Sequence, residues 1–186
     1  MLTRFSNIIL YCSTMLLIAS CENSKKEVDD WTKPVVMREE ATDVRALLSQ
    51  NGTVKAKLTA PLMYRVFGDT VYTHFPQTMH CDFYDDSAQV ETWLDSRQGK
   101  YFENLNKVYL WDSVLVINRA GDTLKCKDLW WDQGTKLFYT EKAAIYHGLH
   151  KQINGTIGLT ATQDLSSITF HHPTGTLEVS ENGFPK

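Results

Sequence analysis

The chain has 186 residues, with 19 basic and 22 acidic side chains and a formal net charge of −3 at pH 7. No cluster of lysine and arginine is present, which argues against nucleic acid as a partner. Aromatic and β-branched residues are frequent and long helical periodicities are absent, so the sequence predicts one all-β domain with a substantial core.

The N-terminus carries the pattern of an export signal. Residues 8–19 form an apolar run that follows Arg4 and is too short to span a bilayer comfortably. The run ends in LIASC at residues 17–21, which resembles the lipobox of bacterial lipoproteins. That resemblance implies cleavage before Cys21 and acylation of its thiol. An uncleaved membrane anchor with an incidental cysteine is the alternative.

The segment after Cys21 is polar and charged, and Pro34 ends it. Its charges nearly balance, which indicates a flexible spacer rather than a patch that binds lipid headgroups. We therefore predict a signal peptide over residues 1–20, a spacer over residues 21–40 and a β-domain over residues 41–183.

Period-2 alternation of apolar residues, with Gly, Asp and Asn between the runs, predicts antiparallel strands throughout the domain. The first hairpin is predicted around Asn51-Gly52, the strongest short-range turn signal in the chain. A short helix over residues 39–48 is the alternative for the segment before it. Pro61 interrupts the return strand and suits a bend or an edge. Turns recur every ~8 to 12 residues, which fits a sandwich, a barrel or an open β-stack.

Residues 107–132 are predicted to form three or four short strands separated by polar turns at Asp112-Ser113 and at residues 119–122. A unit this short cannot close its own core and needs similar units above and below it. Further on, Gly148, Gly155 and Gly158 interrupt strand-like sequence, which predicts bends, bulges or close approach of backbones.

The residue types that commonly act in catalysis or bind metals form no catalytic or metal-binding pattern. The histidines lack metal-ligand spacing, most aspartates fall at predicted turns, and no nucleophile signature occurs. We therefore expect no enzymatic activity, no cofactor and no metal. Within the domain, Cys81 and Cys126 could pair in an oxidising compartment, but both alternate on apolar faces, so two buried free thiols are the other possibility.

Several weak motifs occur together in an order that resembles one family. After the membrane leader come NGTVKAKLTAPLMYRV at residues 51–66, FYDD at 83–86, SRQGKY at 96–101, VYLWDSVLVINRAGDTL at 108–124 and INGTIGL at 153–159. Over about residues 44–179 the chain is similar to the LptC family, the periplasmic bridge component of the lipopolysaccharide export machine. Its leader is similar to the lipoprotein form found in Bacteroidetes-type bacteria.

The resemblance implies a twisted, open antiparallel β-jellyroll (the OstA-like fold) whose interior holds the acyl chains of lipopolysaccharide. It implies two protein partners, an inner-membrane ABC transporter at the N-terminal edge and an LptA-like periplasmic jellyroll at the C-terminal edge. The expected location is the periplasmic face of the inner membrane, with the outer membrane as the alternative because Glu22 follows the cysteine. Enteric members keep an uncleaved transmembrane helix where this chain has Cys21, which leaves its contact with the transporter in the membrane open.

Apolar positions of the predicted strands are candidates for the lining of that interior. Burying an acyl chain of ~14 carbons from water is favourable by roughly 10 kcal/mol, whereas transfer from a bilayer gains almost nothing. The chain has no phosphate-binding loop to drive such transfer. An open groove would favour a carrier, and a closed core would favour an assembly lipoprotein that binds proteins only. The candidate lining residues are Val54, Ala56, Leu58, Tyr64, Phe83, Val90, Leu110, Val114, Val116, Leu124 and Ile145, and the candidates for the C-terminal partner edge are Leu177 and Val179.

Overall fold

A computed structural model describes residues 37–177. The predicted signal peptide, the predicted anchor Cys21, most of the predicted spacer and Val179 lie outside these residues. Within them, no helix has the length and hydropathy of a membrane span, and the one helical element is a short 3₁₀ helix, Glu103–Leu105. The strands are β1 (Met37–Gln50), β2 (Thr53–Phe67), β3 (Tyr72–Phe75), β4 (Met79–Tyr84), β5 (Val90–Ser96), β6 (Gln98–Phe102), β7 (Lys107–Asn118), β8 (Thr123–Asp132), β9 (Leu137–Thr140), β10 (Ala144–Gly148), β11 (Lys151–Gly155), β12 (Leu159–Thr162), β13 (Ile168–Phe170) and β14 (Pro173–Leu177).

The fourteen strands belong to one antiparallel sheet, which doubles back on itself to form two leaves. Leaf A runs β1–β2–β3–β6–β7–β8–β9–β12–β13, and leaf B runs β1–β2–β4–β5–β7–β8–β10–β11–β14. The long strands β2, β7 and β8 contribute one half to each leaf, and β1 accompanies β2 along its length. The predicted all-β jellyroll is confirmed.

Each long strand passes from one leaf to the other at an irregular point, and we call the line of these points the crease. It comprises Asp43 of β1, Pro61 of β2, Asp112 and Ser113 of β7, and Lys127 of β8. The φ angles of Asp43, Asp112 and Ser113 are 52°, 63° and 69°. Asp112 and Ser113 form a bulge opposite Lys127. The bend predicted at Pro61 is confirmed. The turn predicted at Asp112-Ser113 is wrong, because the extra residue bends β7 without reversing it.

The remaining connections follow the same plan. Five connections join opposite leaves along the crease: β3–β4, β5–β6, β9–β10, β11–β12 and β13–β14. The hairpin turns lie at the opposite edge of the leaves, which we call the mouth. The β1–β2 turn is Asn51-Gly52, as predicted, with φ of 53° and 77°. β1 is a strand and not the alternative helix, and it begins at Met37, inside the segment that the sequence analysis assigns to the spacer.

Apolar side chains fill the space between the leaves. Phe83 of leaf B packs against Trp131 and Phe138 of leaf A, with ring centroids 4.8 Å and 5.9 Å apart. The fully buried side chains around this contact include Leu94, Leu110, Leu124, Leu129, Val116 and Leu159. Burial of such side chains is the main favourable contribution to folding, at about 1.5 to 3 kcal/mol each.

The two domain cysteines are free thiols. Cys81 lies on β4 and Cys126 on β8, and β5 and β7 separate these strands in leaf B. Three strand steps of ~4.8 Å hold their Cα atoms about 14 Å apart, beyond the ~7 Å that a disulfide can bridge. Burial raises the pKa of both thiols, to about 12 for Cys126, so neither is a reactive thiolate near neutral pH.

Candidate functional site

Most of the predicted lining residues lie between the leaves. Six of them are buried there and belong to one apolar cluster: Ala56, Phe83, Leu110, Val114, Val116 and Leu124. Leu58 is half-buried and packs against the same cluster, and Val54 is half-buried beside the β1–β2 turn. The strands therefore bring together residues from β2, β4, β7 and β8 that are distant in sequence.

Two predicted lining residues lie outside this cluster because the strands are irregular. β2 changes leaf at Pro61, which reverses the alternation, so Met63 packs against the core and Tyr64 faces outward. On β5, a bulge between the pairs that flank Glu91 displaces Val90 from the inward row to which the buried Thr92 belongs. Period-2 alternation predicts a face only while the ladder is unbroken.

The prediction that Ile145 of β10 lines the interior is also wrong. Ala144 and Tyr146 are buried between the leaves, whereas Ile145 points to the outer face of leaf B and is 40% exposed. Ile145 pairs with Lys125 of β8, an exposed residue on that same outer face. A run with apolar side chains on both faces gives no sequence signal that distinguishes inside from outside.

The contact of Phe83 with Trp131 and Phe138 closes the centre of the interior, and a pocket of about 570 Å³ reaches it from the mouth. Phe83 and Trp131 line this mouth pocket, and Glu91 and Asp164 lie at its polar rim. Burial and the nearby carboxylate of Asp164 raise the pKa of Glu91. An acyl chain could enter between the leaves only if these contacts part.

A larger groove of about 1340 Å³ runs beside the crease, and we call it the crease groove. One row of paired residues on the outer face of leaf B follows it across seven strands, and Ala60, Met79 and Val114 lie beneath that row with their side chains buried. Successive antiparallel pairs place the row members side by side on one face. They are Arg45, Thr59, His80, Asp95, Leu115, Lys125 and Ile145.

The ring of His80 hydrogen-bonds to two carboxylates, one from Asp95 in this row and one from Asp82 beside it. Its Nδ1 lies 2.7 Å from Asp95 and its Nε2 lies 2.9 Å from Asp82. Burial lowers the pKa of His80, but the hydrogen bonds to Asp95 and Asp82 outweigh burial and raise it above its ordinary value. The two carboxylates near the groove thus share the two ring nitrogens of one histidine. No group of three or more His, Cys, Asp or Glu side chains within residues 37–177 is placed to hold a metal ion.

The outer face of leaf A carries a ladder of aromatic rings that the sequence analysis did not assign. His74 stacks on Trp111 at 5.7 Å, Tyr109 lies 5.3 Å from Trp111 and 4.8 Å from Trp130, and Trp130 stacks on Tyr139 at 6.3 Å. Such cross-strand pairs stabilise a sheet by about 0.2 to 1 kcal/mol each. The aromatic members of β7 alternate with buried apolar residues, and that alternation was the available signal.

Comparison with known proteins identifies one family. A family model described as "LptC: Lipopolysaccharide-assembly, LptC-related" matches residues 8–177, which is most of the chain and includes every described strand. Comparison with curated proteins gives no match.

Proposed function

Because the chain belongs to the LptC-related family of lipopolysaccharide-assembly proteins, which places it in lipopolysaccharide transport at the cell envelope, we propose that its β-domain is a non-enzymatic carrier of lipopolysaccharide. In this proposal the domain receives lipopolysaccharide from an inner-membrane ABC transporter and passes it to an LptA-like periplasmic jellyroll. The supporting observation is the apolar cluster between the leaves, which five strands of leaf B line continuously from Ala56 to Leu124.

Acyl chains would occupy the space that side chains now fill. Each side chain that an acyl chain displaces loses apolar contacts and each methylene that enters gains them, so the exchange is close to balanced at ~0.8 kcal/mol per CH₂. A filled interior of this kind is compatible with transfer in either direction. The direction would then come from the ATP-driven transporter, because the chain itself has no phosphate-binding loop.

The ends of the leaves supply the proposed protein contacts. Among the described strands, β1 pairs only with β2 at one end, and β14 pairs only with β11 at the other end of leaf B. Each therefore presents an edge to which another strand can add. We assign the β1 edge to the transporter and the β14 edge, with Leu177 and Val179, to the LptA-like jellyroll.

The anchor completes the proposed arrangement. The sequence LIASC at residues 17–21 supports acylation of Cys21. The proposed carrier function implies attachment to the periplasmic face of the inner membrane, with the outer membrane as the alternative. The intact mass of the mature protein measures the acylation. A mass that is unshifted when Cys21 is replaced by alanine would remove the anchor from the proposal.

A photoreactive residue placed at Leu110 or Val116 should form adducts with lipopolysaccharide in membranes supplied with ATP. Both side chains are fully buried between the leaves, so an adduct there requires the ligand to enter the interior. Tyr109 is the matched control, because it neighbours Leu110 on β7 and faces outward in the aromatic ladder. The expected result is adducts at the inward positions and far fewer at Tyr109.

The absence of lipopolysaccharide adducts at both inward positions would refute the carrier. The second candidate, an assembly lipoprotein with a closed β-domain, is favoured by the filled interior around Phe83. Adducts that contain only protein, from outward positions alone, would support that candidate.

Leu177→Asp should weaken binding to an LptA-like jellyroll by about tenfold, because a charge at the edge of β14 opposes burial of an added strand. The measurement is the Kd of the full chain for the purified partner. Thr169→Asp on β13, the edge of leaf A, is the matched control and should leave the Kd unchanged. Equal affinity of both variants and the parent would exclude the β14 edge as the binding surface.

A further inference from the structure

The cations of the described residues divide sharply by whether they have a partner. Nine of the fourteen lysine and arginine side chains in residues 37–177 make an ion pair with a carboxylate or lie over an aromatic ring. Five side chains do neither. One of them, Lys136, lies near the carboxylate of Asp86 at the mouth pocket. The other four all line the crease groove: Arg45, Arg97, Lys125 and Lys127.

Three of these four cations are close neighbours. Lys125 and Lys127 both line the groove from β8, two residues and therefore about 7 Å apart. Arg97 follows β5, and its backbone N–H donates to the carbonyl of Asp112 on β7, the strand next to β8. Two strand steps of ~4.8 Å thus separate Arg97 from Lys127. Arg45 lies farther along the same groove, on β1.

The acids of the groove do not offset these charges. Only Asp43 and Asp95 line it, and Asp95 is hydrogen-bonded to His80 at 2.7 Å. A groove with four unpaired cations and one unpaired carboxylate favours an anion, since each cation there retains its capacity for a charge-assisted hydrogen bond.

Apolar side chains stand in the same groove beside the cations. Leu115 and Ile145 flank Lys125 in the paired row, and Ile145 is 40% exposed. Pro61 lines the groove at the crease. A purely ionic ligand such as free phosphate would leave these apolar surfaces in water, whereas an amphiphile would cover them.

We propose that the crease groove binds the phosphorylated headgroup of an amphiphile, with the phosphate held by Arg97, Lys125 and Lys127 and a further anionic group held by Arg45. The proposal deepens the carrier function and rests on it, because the amphiphile in question is the cargo. The part of the amphiphile next to the headgroup then lies against Leu115 and Ile145 on the outer face of leaf B.

The test uses the full chain in dodecyl maltoside micelles that contain a small fraction of dodecyl phosphate, with a photoreactive residue in place of Leu115. The two amphiphiles have the same alkyl chain, so the ratio of their adducts reports recognition of the phosphate. The parent should favour dodecyl phosphate. In a Lys125→Gln/Lys127→Gln variant we expect the dodecyl phosphate adduct to fall about tenfold, the effect of losing two exposed ionic contacts.

A Lys136→Gln/Lys151→Gln variant is the matched control, because it removes the same charge away from the groove, and its adduct yield should equal that of the parent. An Arg45→Gln/Arg97→Gln variant repeats the test on other strands, so that one misfolded variant cannot decide it. Unchanged adducts in both groove variants would overturn the proposal. Equal adducts from the two amphiphiles would show that the groove recognises only alkyl chains, and complete competition by inorganic phosphate would show a free-phosphate site, so each of these results also overturns it. Lipopolysaccharide adducts at Leu110 are measured separately and would leave the carrier standing if the groove fails.

Discussion

Replacing Phe83 with alanine is expected to lower the free energy of unfolding by about 4 kcal/mol. The ring is fully buried and is the member of leaf B that contacts both Trp131 and Phe138 of leaf A. Truncation therefore leaves an apolar cavity at the place where the two leaves meet. Urea unfolding of the full chain, followed by circular dichroism of the strands, measures the loss.

Tyr84→Ala is the control for this substitution, because Tyr84 is the next residue of β4 and is only half-buried. Its loss should be near 1 kcal/mol. Apolar cavities of this kind stay dry and bind apolar ligands, so decanoate below its micelle concentration should stabilise Phe83→Ala more than the parent. A loss below about 1 kcal/mol for Phe83→Ala would show that this contact does not hold the leaves together. Equal stabilisation of variant and parent by decanoate would show that truncation leaves no apolar cavity there.

Local alternation was sufficient to predict the strands and most of the interior. It placed Leu110, Val116 and Leu124 on inward faces because β7 and β8 keep period 2 on each side of the crease. It failed for Tyr64 and Val90, where a proline bend and a bulge reverse the alternation. Such irregularities depend on which strand lies alongside, and a single strand's sequence does not contain that information.

The crease groove could not be predicted for a related reason. Arg45 and Lys125 are far apart in sequence and share a row only through five successive strand pairs. Each pairing is a long-range choice that the hydrophobic pattern and the turns make jointly. Lys125 and Lys127 were visible as the polar half of an alternating strand, but a lysine with an ion-pair partner and one without have the same sequence pattern.

The glycines near the C-terminus predict bends, bulges or close approach of backbones. The structure confirms close approach at Gly155 and Gly158. A Cβ at Gly155 would lie 2.8 Å from the carbonyl oxygen of Gly158. A Cβ at Gly158 would overlap the carbonyl oxygen of Thr140 and lie 2.8 Å from the Cα of Glu141. These approaches occur where the β11–β12 connection meets the β9–β10 connection at the crease, so they position β12 beside β9 in leaf A.

Gly158→Ala should therefore destabilise the protein by at least about 3 kcal/mol, because the new methyl group meets backbone that has no side-chain freedom to move, and because the residue has a φ of 110°. Gly121→Ala is the matched control, since Gly121 has a φ of 88° but nothing within 4 Å of an added Cβ. It should lose only the cost of the left-handed backbone, about 1 to 2 kcal/mol. The difference between the two variants, measured by thermal unfolding, isolates the close approach at the crease. Equal losses would mean that the β11–β12 connection can move away from Thr140, and that β12, β13 and β14 are attached to the domain less firmly than the strand pairing indicates.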